Sequence, residues 1–272
     1  MVDKVTVSTT WLHQHLGGKG MVILDASQKI PDPFTIPDAV HFDLKNDFSN
    51  LGSNLPNMLP TSHQFQTKCR DLGIDQSSTI IIFDNEGVYY SPRAWWMFKV
   101  MGHEEVYILD GGLPAWKENG FLVEKRKTIK PIKGDFQAVL NTDLLRNYSQ
   151  VVKNTGDDQE LLIDARSEGR FLGTSPEPRP ELQSGHIPNS VNIPNTELLE
   201  GHHFKPHEQL QSIFSKVGSS PKNLVFSCGS GLTACIAMAA AKKVLNHEMA
   251  VYDGSWTEWA TRKGLYTQQA SN

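Results

Sequence analysis

The sequence predicts an α/β fold of two tandem, similar domains, each a parallel sheet with helices on both faces. Short β-branched apolar runs alternate with helical stretches along the chain, the pattern of parallel strands joined by crossover helices. The pattern occurs twice in the same order. A chain of 272 residues, 39% hydrophobic and 21% charged, is also long enough for two domains of common size.

The repeat can be followed element by element. Val22-Ile23-Leu24-Asp25 has its counterpart in Leu161-Leu162-Ile163-Asp164, each an apolar strand ending in aspartate. Ile36 to Phe42 matches His186 to Ile193, and Ile80 to Asp84 matches Leu224 to Cys228. Helical stretches follow at Ala94 to Val100 and at Thr233 to Val244. Val106 to Trp116 then matches Val251 to Trp259. Between the copies, the basic and weakly periodic stretch from Lys125 to Gly134 reads as a linker. The expected domains are therefore residues 1–134 and 135–272.

The copies differ at one strand exit, and the chemistry is expected there. The second copy ends its strand in Cys228, where the first has Asp84 followed by a longer insert through Ser91. Ligands of open α/β sheets bind at the carboxyl ends of the strands. Behind Cys228 come Gly229, Ser230, Gly231 and Leu232, and then a helix opening near Thr233. Glycines that let the backbone curl turn successive N–H groups inward, and the helix adds its positive end. Both favour thiolate over thiol, which makes Cys228 the candidate nucleophile. The first domain, with Asp84 in place of the cysteine, is expected to be the silent copy.

Other features read as structural. Cys69 and Cys235 are expected to pack within helices, and three cysteines without paired spacing indicate neither a disulfide framework nor a zinc site. Asp25, Asp164, Asp110 and Asp253 stand at repeated strand ends and are expected in turns or caps; Trp95 and Trp96 are expected in the core or at the domain interface. A net charge of −4 and a pI near 6.2 leave no basic footprint for nucleic acid or an anionic membrane. Met1-Val2-Asp3-Lys4 opens a polar segment, and no apolar run approaches the ~18 residues of a membrane span, so a cytoplasmic location is expected.

The loop Cys228-Gly229-Ser230-Gly231-Leu232-Thr233-Ala234 resembles that of the rhodanese superfamily, specifically its two-domain 3-mercaptopyruvate sulfurtransferases. Gly185-His186-Ile187-Pro188, the stretch Thr174 to Arg179, Ser91 to Trp96 and Tyr252 to Trp256 extend the resemblance over nearly the whole chain. It implies two tandem rhodanese-like domains and a sulfur atom carried as a persulfide on Cys228. The implied partners are a small-molecule donor and a thiol acceptor such as thioredoxin, or cyanide, with no metal or organic cofactor. It also implies that Arg170 and Arg179 hold the donor's carboxylate and keto oxygens, work suited to a planar guanidinium fork. Thiosulfate-type members carry cations just after the cysteine; the neutral Gly229 and Ser230 here fit a monocarboxylate, with thiosulfate as the alternative donor. Ser230 is expected to donate to the enolate-like product and Thr233 to the sulfur anion. Many relatives place an acid and a histidine in segments that here contain Lys45 and Asn57, so a relay through Ser230 is not expected and water is left as the proton source. His186 is expected to be structural.

Two other classes compete. A cysteine phosphatase or arsenate reductase of related fold needs a Cys-x5-Arg loop, and position 234 is alanine. A non-catalytic binding or sulfur-sensing module would not require the intact Cys228 loop.

Overall fold

The computed structural model describes residues 3–262 apart from 30–32, 128–130 and 221; Thr128 to Lys130 of the expected linker lie outside the described residues. The chain divides into two compact units. Of the described residues, the first holds those within 3–51, 59–141 and 200–204, the second those within 52–58, 142–199 and 205–262.

In the first unit the order is β1 (Thr6–Val7), α1 (Thr9–His15), β2 (Met21–Asp25), β3 (Phe34–Thr35), β4 (Val40–His41), α2 (Ser62–Asp71), β5 (Thr79–Phe83), α3 (Ser91–Val100), β6 (Val106–Leu109), α4 (Gly112–Glu118) and β7 (Glu124–Lys125). Five strands form a parallel sheet in the order β1-β6-β5-β2-β4, and β3 pairs antiparallel with β7.

In the second half β8 (Leu145–Arg146), α5 (Tyr148–Asp157), β9 (Glu160–Asp164), α6 (Glu168–Leu172), β10 (Ser190–Asn192), β11 (Leu199–Glu200), β12 (His203–Phe204), α7 (His207–Gly218), β13 (Asn223–Ser227), α8 (Thr233–Val244), β14 (Met249–Tyr252) and α9 (Ser255–Thr261) follow. Their parallel sheet has the order β8-β14-β13-β9-β10. The sequence of positions is the same in both sheets, and the registers agree: Asp25 lies beside Phe83 and Asp164 beside Ser227. The duplication is therefore a duplication of topology.

On one face of each sheet, strand residues pack with side chains of the flanking helices. In the first unit Val7, Ile23, Ile81, Phe83 and Leu109 pack with Leu12, Leu113 and Trp116 from the flanking helices. In the second, Leu162, Val225 and Tyr252 pack with Val151, Trp256 and Trp259. Helix α3 is buried along almost its whole length, with Trp95 and Trp96 in the core as expected. Helix α8 is buried from Ala234 through Ala241, and its small side chains let the backbone approach the sheet closely.

The first unit extends beyond the expected boundary at Gly134. The Gly134 and Phe136 N–H groups donate to Arg70 and Ile74, and those of Val139 and Asn141 to Met101 and Val100. This extended stretch has no periodicity, so its attachment by backbone hydrogen bonds leaves no trace in the residue pattern.

Two grooves open at the amino ends of the strands. One, of about 640 Å³, runs by Met21 and Thr79; the other, of about 600 Å³, runs by Glu160 and Asn223. They are a repeated consequence of the architecture at the end of the sheet opposite Cys228, and no cysteine lines either.

Candidate active site

Cys228 follows directly on β13 and is 1% exposed. Its N–H donates to Ser255 Oγ at 3.2 Å, and its carbonyl accepts from the Trp256 N–H at 2.9 Å. The Gly229 carbonyl accepts twice from Thr257, from the N–H at 3.0 Å and the hydroxyl at 2.6 Å. The start of α9 thus fixes the backbone on both sides of the thiol. Ser255 does this from a left-handed conformation, φ 50°.

The two loop glycines serve different ends. Gly231 turns the chain at φ 78°, where a Cβ is strained. Gly229 is not in that region; a Cβ there would come within 3.0 Å of the Arg170 guanidinium. The expected curl thus rests on Gly231, while Gly229 makes room for a cation. Among the described residues the N–H groups of Gly229, Ser230, Leu232 and Thr233 meet no protein acceptor. Four unpartnered donors at the head of a 12-residue helix form a setting for negative charge on sulfur. Thr233 is the first helical residue, and Leu232 occupies the cap position without a capping side chain.

Arg170 comes to this loop from the last turn of α6, and Arg179 from the segment after it. Arg179 Nη1 donates to Thr257 Oγ1 at 3.2 Å, one bond away from the Gly229 carbonyl. Arg170 pairs with Glu177 through Nε at 3.1 Å and Nη2 at 2.6 Å. The buried Glu177 also accepts from Arg166 Nη1 at 2.7 Å. Arg166 is itself buried, paired to Asp164, donating to the Gly185 carbonyl and lying over the Trp256 ring at 4.2 Å. Burial alone would lower its pKa, but Asp164 and Glu177 outweigh it and raise the value further.

Asn57 belongs to the same unit and reaches the loop. Its Nδ2 donates to the Ser230 carbonyl at 3.3 Å and to Ser230 Oγ at 3.0 Å. A carbonyl only accepts, which assigns the amide's NH2 to this side, and the hydroxyl must then direct its own proton elsewhere. Asn57 sits at φ 57°, a conformation asparagine tolerates. Lys45 lies exposed in the first unit, with its N–H on Asp43 Oδ1.

Cys69, Cys235, His186 and Asp164, expected to be structural, are held in packing or turn contacts. Cys69 and Cys235 are buried, and Cys235 Sγ donates to the Gly231 carbonyl at 3.3 Å. Burial pushes the Cys69 thiol well above its ordinary value. His186 stacks on Phe171 and bonds its carbonyl. Asp164 accepts from the Arg166 N–H in a turn.

The sequence reading missed Ser255, Thr257, Glu177 and Arg166. A signal existed for three of them in the comparison of the copies. Ser255, Thr257 and Arg166 stand where the first copy has Gly112, Pro114 and Ser27, so the second copy gains polar groups around its cysteine. Glu177 has no such marker.

At the corresponding loop of the first unit, the buried Asp84 carboxylate accepts from the Glu86, Tyr90 and Ser91 N–H groups at 2.9, 2.9 and 2.8 Å and from the Ser91 hydroxyl at 2.8 Å. Burial raises its pKa against the pull of these donors. The side chain consumes the donors that a ligand would need. Asp84→Ala strands them in the interior and is expected to cost about 2–3 kcal/mol, measured by equilibrium urea unfolding.

A family model for the rhodanese-like domain matches residues 8–119 and again residues 147–262. The chain belongs to the rhodanese-like family. It is a two-domain rhodanese-like sulfurtransferase, similar over 95% of its length to the mitochondrial thiosulfate/3-mercaptopyruvate sulfurtransferase 1 of Arabidopsis thaliana, at 38% identity and 76% coverage of that protein. It is 35% identical to the 3-mercaptopyruvate sulfurtransferase of Escherichia coli K12, over 95% of this chain and 96% of the relative. A crystal structure of a 3-mercaptopyruvate sulfotransferase from Escherichia coli superposes with a TM-score of 0.83 at 32% identity, covering 93% of this chain and 99% of that one. Among the described residues, no helix of this rhodanese-like protein is long and apolar enough to cross a membrane.

Proposed function

We propose that this sulfurtransferase takes its sulfur from 3-mercaptopyruvate, carries it on Cys228 and passes it to a thiol such as that of thioredoxin, or to cyanide. The observation that carries the reading is a neutral loop, Gly229 and Ser230, set beside Arg170 and Arg179. Two guanidinium groups suit a carboxylate and an adjacent keto oxygen. A loop without cations suits a donor with a single negative charge.

The Cys228 thiolate attacks the donor's sulfur, the carbon–sulfur bond breaks, and its electron pair remains on carbon as the enolate of pyruvate. Ser230, its oxygen already accepting from Asn57, has its proton free to donate to the developing enolate oxygen. Asparagine cannot relay a proton, so water supplies the one that converts enolate to pyruvate. The donor's thiol proton leaves the outer sulfur to water, and the persulfide that remains is an anion among the N–H groups of Gly229, Ser230, Leu232 and Thr233. An acceptor thiolate or cyanide then attacks the outer sulfur, the sulfur–sulfur bond breaks, and the Cys228 thiolate is regenerated. The first unit, its loop filled by Asp84, takes no chemical part.

The test compares kcat/KM for 3-mercaptopyruvate and thiosulfate, together with intact mass after exposure to each donor. A higher efficiency with 3-mercaptopyruvate and a gain of one sulfur atom on Cys228 are expected. Preference for thiosulfate overturns the donor, and no gain of sulfur from either donor overturns the catalytic reading in favour of a binding module.

A further inference from the structure

The four charges behind the loop form a closed set. Asp164 is balanced by Arg166, and Glu177 lies between Arg166 and Arg170, all within hydrogen-bond distance. Two carboxylates and two guanidinium groups cancel. Arg179, by contrast, meets no carboxylate at ion-pair distance among the described residues. Glu177 also occupies one particular edge of Arg170, that of Nε and Nη2. The edge formed by Nη1 and the second Nη2 hydrogen meets no protein acceptor among the described residues, and Nη2 lies beside Gly229.

We propose that Glu177 sets donor selectivity: it positions Arg170 against the Cys228 loop and cancels its charge, so that Arg179 alone offers an uncompensated positive charge and the pocket favours a monoanion over a dianion. This rests on the sulfurtransferase reading above and deepens it. The neutral loop residues are then only half of the selection, because two uncompensated arginines beside the same loop would still attract a dianion. Glu177 touches no donor itself, and Arg166 keeps it in place from a fully buried position. Its effect is electrostatic and geometric, and the two are separable by substitution.

The experiment compares the wild type with Glu177→Gln and Glu177→Asp. In Glu177→Gln an extra net positive charge is expected to raise the thiosulfate to 3-mercaptopyruvate efficiency ratio about fivefold or more. In Glu177→Asp the charge remains, so both efficiencies fall while the ratio stays within about twofold of the wild type. A ratio is insensitive to the fraction of folded enzyme. A readout free of turnover is the alkylation of Cys228 by anionic iodoacetate relative to neutral iodoacetamide, followed by peptide mass, in which the thiolate content cancels. That ratio is expected to rise in Glu177→Gln even if neither donor delivers sulfur, which keeps the failure of this inference distinct from the failure of the proposed function. Equal losses with both donors and an unchanged alkylation ratio in Glu177→Gln would overturn it.

Discussion

Replacing Cys228 with serine is expected to lower sulfur transfer by more than about a thousandfold with any donor, because an alcohol is a poor nucleophile toward sulfur and cannot hold a persulfide. The fold should survive, since the loop is held through the backbone, by Ser255, Trp256 and Thr257, and not through the thiol. Cys69→Ser and Cys235→Ser are the controls and should retain most activity. Cys69 is kept protonated by burial, and Cys235 is turned toward the Gly231 carbonyl, a partner that a serine hydroxyl also reaches. Steady-state transfer to cyanide and intact mass check all three. Loss of turnover in folded Cys235→Ser would bring a second sulfur into the mechanism.

Arg179→Lys is expected to reduce donor kcat/KM about 10- to 150-fold, the equivalent of about 1.5–3 kcal/mol for hydrogen bonds to a charged group. The charge is kept, but an ammonium is a point donor. It cannot hold Thr257 Oγ1, as Nη1 does at 3.2 Å, and still present a planar fork to a carboxylate. Stopped-flow or steady-state kinetics with 3-mercaptopyruvate measures the loss, while saturation by the acceptor should change little. A donor efficiency within twofold of the wild type would remove Arg179 from the site.

The fold was legible because duplication writes the same strand ends twice: Asp25 and Asp164, Asp84 and Cys228, Asp110 and Asp253 mark matching positions in two sheets of one order. The candidate nucleophile stood out because one copy breaks the pattern there. The second layer of the site was less so. Glu177 lies in a stretch whose neighbour Arg179 drew the reading, and nothing local says that a carboxylate will be shared by Arg166 and Arg170, residues brought to it only by the turn after β9 and by α6. Asn57 stood out as a departure from the family pattern, yet its bond to a serine 173 positions away depends on the chain path. The boundary was displaced for the same reason, since residues 134–141 are bound by backbone groups that carry no side-chain signature.

Ser255 and Gly112 occupy the same station in the two copies, at φ 50° and φ 53°. Glycine reaches that conformation freely, whereas a serine there bears a steric cost of about 1 kcal/mol or more. The copy with Asp84 is thus relaxed where the copy with the cysteine is tense, and the tension holds the hydroxyl that receives the Cys228 N–H. For anyone stabilising this protein by making its halves alike, position 255 is a trap: glycine would ease the backbone and release the thiol's loop in the same stroke.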